Sequence, residues 1–295
     1  MNPFENKTAV ISGGAEGIGL AIARALGQRG MNIVIADINR EQLATAEAEL
    51  TADGISVHAA ALDVADAEQW QEVADQAVQR FGKVHMLVNN AGVGGSGGTI
   101  EETSPKTWQW VLDVNLMGVA LGTQVMVPLI KSHGEGGWIV NVASMAGFGP
   151  FPLATPYTAT KAAVVAMTEN WAIELEPAGI HVCALCPGFA QTRIHESERN
   201  MPGRYESDTT DTSDEVEKFS GAMKKVIEEG MPVSTVAERL VEAILAGELY
   251  VFTHPHYREA AERRFVEAAA AFDRAEESPL LAEYKDLPLP MSEFG

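Results

Sequence analysis

A tyrosine, a lysine and a serine stand at a spacing that could move a proton together with a hydride. Tyr157 and Lys161 are four residues apart, and Ser144 precedes them after the apolar run 138–143. In a helix, this offset places the phenol and the ammonium on one face, about one turn apart. A phenol has a pKa of about 10 and needs a nearby cation to act as a base at neutral pH. We therefore expect Lys161 to lower the pKa of Tyr157, and Ser144 to hold a carbonyl or alkoxide oxygen.

Taken alone, a Tyr-x-x-x-Lys segment also describes a surface helix that carries these residues by chance. The start of the chain favours the chemical interpretation. Residues 8–12 predict a buried strand, and Gly13, Gly17 and Gly19 follow it before an apolar helix. Glycines at a helix start let a pyrophosphate approach backbone N–H groups, where the helix dipole also favours an anion. The pattern therefore predicts a dinucleotide-binding turn.

An acidic residue follows the second predicted strand. Asp37 lies about twenty residues beyond the glycine turn, where it would accept hydrogen bonds from the adenosine ribose and repel a 2'-phosphate. Glu16 adds a second anion within the turn. NAD is therefore favoured over NADP. Arg40 supports the NADP alternative, because it could reach a 2'-phosphate, although it could equally be a surface residue of a helix.

These residues together resemble the short-chain dehydrogenase/reductase family in its compact form, over roughly residues 7–252. The resemblance implies that Asn115, Ser144, Tyr157 and Lys161 are the catalytic residues. Asn115 would act through its backbone carbonyl, which in the family fixes a water that extends the proton relay from the lysine. Two minor departures from the family pattern are Ser12, in place of threonine, and Ala190, in place of valine.

The resemblance also implies the cofactor contacts. Asp63 is similar to the residue that binds the adenine amino group, residues 89–92 to the segment at the adenosine ribose, and residues 187–192 to the segment that holds the nicotinamide carboxamide. The expected contacts are Gly13, Glu16, Gly17, Ile18, Gly19, Asp37, Asp63, Val64, Asn90, Ala91, Gly92, Tyr157, Lys161, Pro187, Gly188 and Thr192.

Regular alternation of apolar runs and helical patterns predicts an α/β fold, a single-domain doubly wound parallel sheet of the Rossmann type. Strands are predicted to begin near residues 8, 32, 56, 84, 138, 181 and 250, and residues 66–81 carry an amphipathic helix pattern. We expect a domain at 1–254 that includes a substrate lid at about 189–230, hereafter the lid. Residues 255–295 would form a C-terminal helix and tail.

Composition limits the partners. The formal net charge of −20 argues against nucleic acid and anionic membranes, because long-range repulsion opposes the encounter. No leader pattern and no apolar run of about 20 residues is evident, so we expect a soluble, cytoplasmic protein. Cys183 and Cys186 are predicted to be core residues, because on a strand they would lie too far apart for a disulfide. His254 and His256 are expected to cap or pack around Pro255, and no metal site is predicted.

The segments predicted to cover the nicotinamide are mostly apolar. They include the glycine-rich stretch 92–98 and the candidate wall residues Met145, Phe148, Phe151, Phe189 and Met201, although each wall residue could also belong to the core. These side chains indicate a small-molecule substrate, a secondary alcohol or ketone with an aromatic or alicyclic body. The lid and the C-terminal extension resemble a branch that contains bacterial dehydrogenases for bulky aryl alcohols, such as the benzylic alcohol of lignin-derived aryl ethers.

The sequence therefore predicts an NAD(P)-dependent alcohol dehydrogenase/ketoreductase. An NADPH-dependent carbonyl reductase is the alternative within enzymes. A non-catalytic dinucleotide-binding sensor is the alternative outside them, and the presence of all four catalytic residue types weighs against it. Apolar residues spread around both helices near 106–133 and 157–176, which the family pairs across a twofold axis. A homodimer or homotetramer is expected.

Overall fold

The protein, in a computed structural model, is described over residues 2–95, 97–206 and 213–287. The chain divides into two compact units, Met1–His254 and Pro255–Gly295. The first unit contains one seven-stranded sheet of order β3-β2-β1-β4-β5-β6-β7, in which all neighbouring strands are parallel. This confirms the doubly wound parallel sheet. The strands are β1 (Thr8–Ser12), β2 (Asn32–Asp37), β3 (Val57–Ala61), β4 (Met86–Asn89), β5 (Gly137–Val142), β6 (Ile180–Cys186) and β7 (Tyr250–Phe252).

Helices cover both faces of the sheet, and a polar side chain caps several of them. Asp66, for example, accepts hydrogen bonds from the backbone N–H groups of Glu68 and Gln69, which starts the predicted amphipathic helix one residue later. The helices of this unit are α1 (Gly17–Gly27), α2 (Arg40–Ala52), α3 (Ala67–Phe81), α4 (Pro105–Leu112), α5 (Gly118–Ser132), α6 (Thr155–Leu175), α7 (Asp214–Glu228) and α8 (Val233–Ala246).

Two apolar cores lie on the two faces of the sheet. Ile33 and Ile35 of β2 belong to the core that includes α1 and α8, whereas Val34 belongs to the core that includes α3 and α5. Burial on both faces explains why the strands are almost continuously apolar. The strand order reverses between β1 and β4, and ligands of such folds bind beyond the carboxyl ends of the strands at this point. The predicted glycine turn follows β1 and therefore lies at this position.

Helices α4 and α5 form one helical stretch, because the π-helical turn Asp113–Met117 joins them. Within the described residues, Pro105–Ser132 is the one helical stretch that is long and apolar enough to span a membrane, judged by length and composition alone. The expectation concerned an uninterrupted apolar run of about 20 residues, and polar residues such as Asp113 and Asn115 interrupt this stretch. The stretch is partly buried inside the protein, and a core helix of this length and composition would meet the same criterion.

The second unit contains α9 (Arg258–Glu276) and a short 3-10 helix, Pro279–Tyr284. No residue of α9 is buried, and Phe265 and Phe272 are 59% and 74% exposed. The predicted C-terminal helix is therefore present, with its aromatic stripe uncovered within this unit. The last part of the predicted tail, 288–295, lies outside the described residues.

Candidate active site

Three of the predicted catalytic side chains come together where β5 and α6 meet. Tyr157 and Lys161 lie one turn apart on α6, and Nζ of Lys161 is 5.6 Å from the centre of the Tyr157 ring. Nζ donates a hydrogen bond of 2.7 Å to the carbonyl of Val142, the last residue of β5. Ser144 follows two residues later, accepts a hydrogen bond from the N–H of Ala146 at 3.1 Å, and forms another with the Tyr157 hydroxyl. The strand end thus holds the serine against the tyrosine.

Burial controls the protonation of both groups. It lowers the pKa of Lys161, which is 4% exposed, to about 8. It also raises the pKa of Tyr157, and the hydrogen bond with Ser144, which acts in the opposite sense, is the smaller effect. The prediction that the pKa of Tyr157 is lowered is therefore wrong for this structure. The ammonium of Lys161, which donates to the Val142 carbonyl, does not offset the effect of burial on the pKa of Tyr157.

Asn115 lies in the π-helical turn and is completely buried. Its Oδ1 accepts from the N–H of Val93 at 2.8 Å, and its Nδ2 donates to the carbonyl of Val93 at 2.9 Å. A Cβ added at Gly92 would lie 3.4 Å from Oδ1 of Asn115 and 3.5 Å from Nζ of Lys161. Asn115 is therefore beside Lys161, with its side chain bonded to the glycine-rich stretch. π-Helical turns are frequent at functional sites.

The glycine turn fits a pyrophosphate. Gly13 and Gly17 have φ angles of +61° and +58°, a backbone conformation that favours glycine. A Cβ at Gly19 would lie 2.2 Å from the carbonyl oxygen of Gly13, so the turn and α1 approach too closely for any side chain there. Glu16 precedes α1 and makes no side-chain cap. The first N–H groups of α1, including those of Ile18 and Gly19, therefore face the end where an anion would bind.

Asp37 connects the glycine turn to the end of β2. Its carboxylate accepts from the N–H of Ala15 at 3.3 Å and from the N–H of Asn39 at 3.0 Å. Burial raises the pKa of Asp37, and these hydrogen bonds oppose the rise. The helix-capping role belongs to Asn39, which accepts from the N–H of Gln42. The carboxylate of Asp37 is thus held at the place where an adenosine ribose would lie in this fold.

The segment after β4 braces the same turn. Nδ2 of Asn90 donates to the carbonyls of Ser12 and Gly13, each at 2.9 Å. The hydroxyl oxygen of Ser12 accepts from the N–H groups of Asn90 and Ala91 at 3.1 and 3.2 Å. Ser12 therefore supplies this bracing hydroxyl in place of the expected threonine. Val64 is buried, and a Cβ at Gly118 would lie 2.8 Å from it, so Val64 packs against the start of α5.

Residues 193–206, hereafter the strap, contact the residues predicted to bind the adenosine half of the cofactor. These contacts join distant parts of the sequence and were not predicted. Tyr205 donates from its hydroxyl to Asp113 at 2.8 Å, and Asn39 donates to Asn200 at 3.1 Å. The ion pairs are Arg204 with Asp63 at 2.6 Å, Arg193 with Glu16 at 3.7 Å, and Arg199 with Glu16. Two cations therefore lie beside Glu16. They weaken the prediction that the negative charge of Glu16 disfavours the 2'-phosphate of NADP.

The segment after β6 lies between the serine and the glycine turn. The N–H of Met145, the residue after Ser144, donates to the carbonyl of Pro187 at 2.9 Å. Pro187 is therefore part of this hydrogen bond, Ser144 is one residue away from it, and Gly188 follows Pro187 directly. A Cβ at Gly17 would lie 3.4 Å from Thr192, so this segment also reaches the phosphate turn. Contacts of the segment after β6 thus link the loop that follows Ser144 to the glycine turn.

Comparison with known proteins identifies the family. The family model described as short chain dehydrogenase matches residues 7–203. The chain belongs to the short-chain dehydrogenase/reductase family. A C alpha-dehydrogenase from Sphingobium is 34% identical over 265 residues, which cover 90% of this chain and 86% of that protein. A 3-alpha-(or 20-beta)-hydroxysteroid dehydrogenase from Mycobacterium bovis is 42% identical over 186 residues, which cover 63% of this chain and 70% of the relative.

A solved structure agrees with this assignment. The short chain dehydrogenase/reductase from Burkholderia phymatum in complex with NAD superimposes with a TM-score of 0.88 at 35% identity, covering 92% of this chain and 97% of that one. The relatives are named dehydrogenases and reductases. The protein is therefore an oxidoreductase of the short-chain type, and the NAD complex of this neighbour supports a nicotinamide dinucleotide as its cofactor.

The candidate substrate wall of this dehydrogenase differs in part from the predicted one. Phe148 is only 7% exposed and packs edge-on against Tyr250 and Phe252, so it is a core residue. Phe151 instead pairs with Phe189 at 6.2 Å and with Phe219 of α7 at 5.8 Å between ring centres. Phe219 was not predicted, because an aromatic on a helical stripe does not reveal its partner. Ser96 of the glycine-rich stretch lies outside the described residues.

Two groups that could suggest a metal or redox site belong to the scaffold. His85, His133 and Glu135 lie together, but backbone N–H groups already donate to Nδ1 of both histidines, and Lys7 and Lys83 pair with Glu135. Burial lowers the pKa of His85 to about 4. The two free cysteines of β6 are completely buried, and burial raises the pKa of Cys183 to about 12. Their assignment to the core is confirmed.

Proposed function

We propose that the protein is an NAD-preferring dehydrogenase that interconverts a bulky aromatic or alicyclic secondary alcohol and its ketone, with Tyr157 as the acid/base. The arrangement of Ser144, Tyr157 and Lys161 at the end of β5 carries this proposal. These are the groups needed to hold an oxygen and to exchange a proton with it, and Asn115 lies beside them.

The residues suit proton transfer to a ketone oxygen. Ser144 would donate a hydrogen bond to that oxygen, and Tyr157 would give up its phenolic proton as negative charge develops there. The raised pKa of Tyr157 keeps this proton in place at neutral pH. Lys161 would stabilise the resulting phenolate. In alcohol oxidation the same groups act in reverse. A bound nicotinamide would supply or accept the hydride.

The cofactor preference is proposed from Asp37. Its carboxylate, fixed by two backbone N–H groups, would bind the ribose hydroxyls and repel a 2'-phosphate. The specific observation that favours an NADPH-dependent carbonyl reductase instead is the pair of strap arginines, Arg193 and Arg199, beside Glu16. We favour NAD because Asp37 lies directly at the end of β2, whereas both arginines are already paired with a carboxylate.

The substrate class is proposed from the aromatic wall. Phe151, Phe189 and Phe219 form an apolar cluster contributed by the lid and by the segment that precedes α6. Such a wall favours an aromatic or alicyclic body. The names of two relatives, a C alpha-dehydrogenase and a hydroxysteroid dehydrogenase, support the same choice.

The test is a panel of secondary alcohols and ketones assayed with NAD(H) and NADP(H), using the wild type and Tyr157→Phe. We expect turnover of an aryl or alicyclic substrate, and a loss of at least ~100-fold in kcat for the variant, because the ring packing remains while the proton is lost. Cofactor affinity should stay near that of the wild type. Tyr284→Phe, at an exposed position of the second unit, is the matched control.

Each alternative has a distinct outcome in this panel. Retained turnover in Tyr157→Phe would remove Tyr157 from the mechanism. Cofactor binding without turnover of any panel member would favour the non-catalytic sensor. A higher kcat/KM with NADPH than with NADH would favour the carbonyl reductase.

A further inference from the structure

His254 is a buried polar residue that the chemistry above does not use. It follows β7 and is 7% exposed. The backbone N–H of Gly188 donates to its Nδ1 at 3.1 Å, and its Nε2 lies 3.1 Å from the carbonyl oxygen of Phe189. Because Nδ1 accepts from Gly188, the ring proton lies on Nε2 and is donated to Phe189. One neutral imidazole thus binds two successive backbone groups just after β6. The hydroxyl of Thr253, 2.7 Å from Nδ1, adds a further polar contact.

The same backbone carbonyl joins the two ends of the lid. The carbonyl of Phe189, at the start of the lid, also accepts from the N–H of Met231, just after its end, at 2.9 Å. The N–H of Gln191 donates back to the carbonyl of Met231 at 2.9 Å. A Cβ at Gly230 would lie only 2.7 Å from the Phe189 oxygen, so the two chains approach closely. His254 is therefore bonded to Phe189, where the described residues on either side of the predicted lid come together.

The bonded segment is also tied to the catalytic centre. Pro187 accepts from the N–H of Met145, the residue after Ser144, at 2.9 Å. The segment 187–189 is thus held by Met145 at one end and by His254 at the other. Without the imidazole, the N–H of Gly188 would be left without this acceptor in a partly buried place, which costs more than the hydrogen bond itself contributes. The segment would then shift to find another partner.

We propose that His254 is a positioning residue that holds the backbone of residues 187–189 in the geometry needed to bind the nicotinamide carboxamide. The inference rests on the proposed function, because it takes this segment as the nicotinamide contact. His254 touches neither the cofactor nor the substrate in this role. It acts through Gly188 and Phe189.

The test compares the binding of NAD and of ADP-ribose, which shares the adenosine and pyrophosphate but lacks the nicotinamide. Calorimetry would be run on the full chain with the wild type, His254→Phe and His254→Asn. The phenylalanine keeps a ring but removes both hydrogen bonds, so we expect the Kd for NAD to rise about tenfold and that for ADP-ribose to stay within about twofold. The asparagine carries an oxygen near the position of Nδ1 and should recover much of the NAD affinity. His58→Phe, on edge strand β3, is the matched control and should change neither value.

The outcomes separate this role from a general structural one. Equal weakening of NAD and ADP-ribose, or no change in either, would overturn the inference. If His254→Phe does not fold, the comparison passes to His254→Asn and His254→Gln, since only the asparagine oxygen lies close enough to accept from Gly188. A ratio of NAD to ADP-ribose affinity that is the same in these two variants would overturn the inference. A wild type that binds neither NAD nor NADP would instead overturn the proposed function, and the inference with it.

Discussion

Replacement of Lys161 by methionine should stabilise the protein while it abolishes turnover. The ammonium is 4% exposed, and burial lowers its pKa from an ordinary value of 10.5 to about 8. Each tenfold change in this equilibrium corresponds to about 1.4 kcal/mol, so the buried charge destabilises the folded state by about 3 kcal/mol at neutral pH. Methionine has a similar length and no charge. It leaves the buried Val142 carbonyl without this donor, which costs about 1–3 kcal/mol. A net gain of up to about 2 kcal/mol in the free energy of unfolding is expected at pH 7.

The gain should depend on pH in a defined direction. Below pH 8 the lysine is protonated in both the folded and the unfolded chain, so the full destabilisation of the wild type is present. Between about pH 8 and 10.5 the folded protein releases the proton while the unfolded chain still holds it, so the wild type becomes relatively more stable. The advantage of Lys161→Met should therefore shrink, to below about 1 kcal/mol at pH 9.5.

Urea denaturation of the cofactor-free protein at pH 7 and pH 9.5, with turnover measured in parallel, tests this reasoning. Lys224→Met is the control, because that lysine is on the exposed face of α7 and should change stability by less than about 0.5 kcal/mol at either pH. A Lys161→Met variant that is less stable than the wild type at pH 7 would refute the burial argument. A gain of equal size at both pH values would show that the charge is not its source.

Three further predictions concern the cofactor preference, the strap and the oligomeric state. Asp37→Ala should narrow or invert the preference for NAD, measured as kcat/KM with both cofactors; an unchanged ratio would mean that Asp37 does not face the 2'-position. Arg204→Ala should tighten ADP-ribose binding a few-fold, because it releases Asp63 from a partly exposed ion pair worth up to about 1 kcal/mol; an unchanged Kd would show that the strap does not compete there. Sedimentation should return at least twice 31.6 kDa, and a fully active monomer would refute the twofold assembly.

Much of the fold could be predicted because its signals are local. Each strand begins within two residues of its predicted start, since an apolar run after a glycine or polar turn is a short-range pattern. The helix at 66–81 was predicted from its apolar spacing, and Trp70, Val73 and Ala74 are indeed completely buried. Ser144, Tyr157 and Lys161 could be grouped from spacing and family resemblance, because one strand end and one helix face determine their positions.

The contacts that could not be predicted join distant residues. His254 was expected to cap or pack near Pro255, yet it bonds to Gly188, 66 residues away in sequence. Arg204 pairs with Asp63 across 141 residues. A single histidine or arginine carries no sequence signal that identifies its partner, because the partner is determined by the tertiary fold. The aromatic partner of Phe151 was missed for the same reason.

The protonation of the site shows why residue type and spacing were insufficient there. The four-residue offset correctly places the ammonium of Lys161 near Tyr157, but the effect of that charge depends on the distance to the hydroxyl and on the loss of water. Burial disfavours the charged form of both groups, so it raises the pKa of the phenol and lowers that of the ammonium. A neutral phenol beside a buried cation can donate its proton to a ketone oxygen, and the phenolate that remains would then lie next to the ammonium. The same burial that makes Tyr157 a poor base therefore makes it a suitable acid. The buried charge of Lys161 destabilises the folded protein, and in the proposed reaction it stabilises the phenolate.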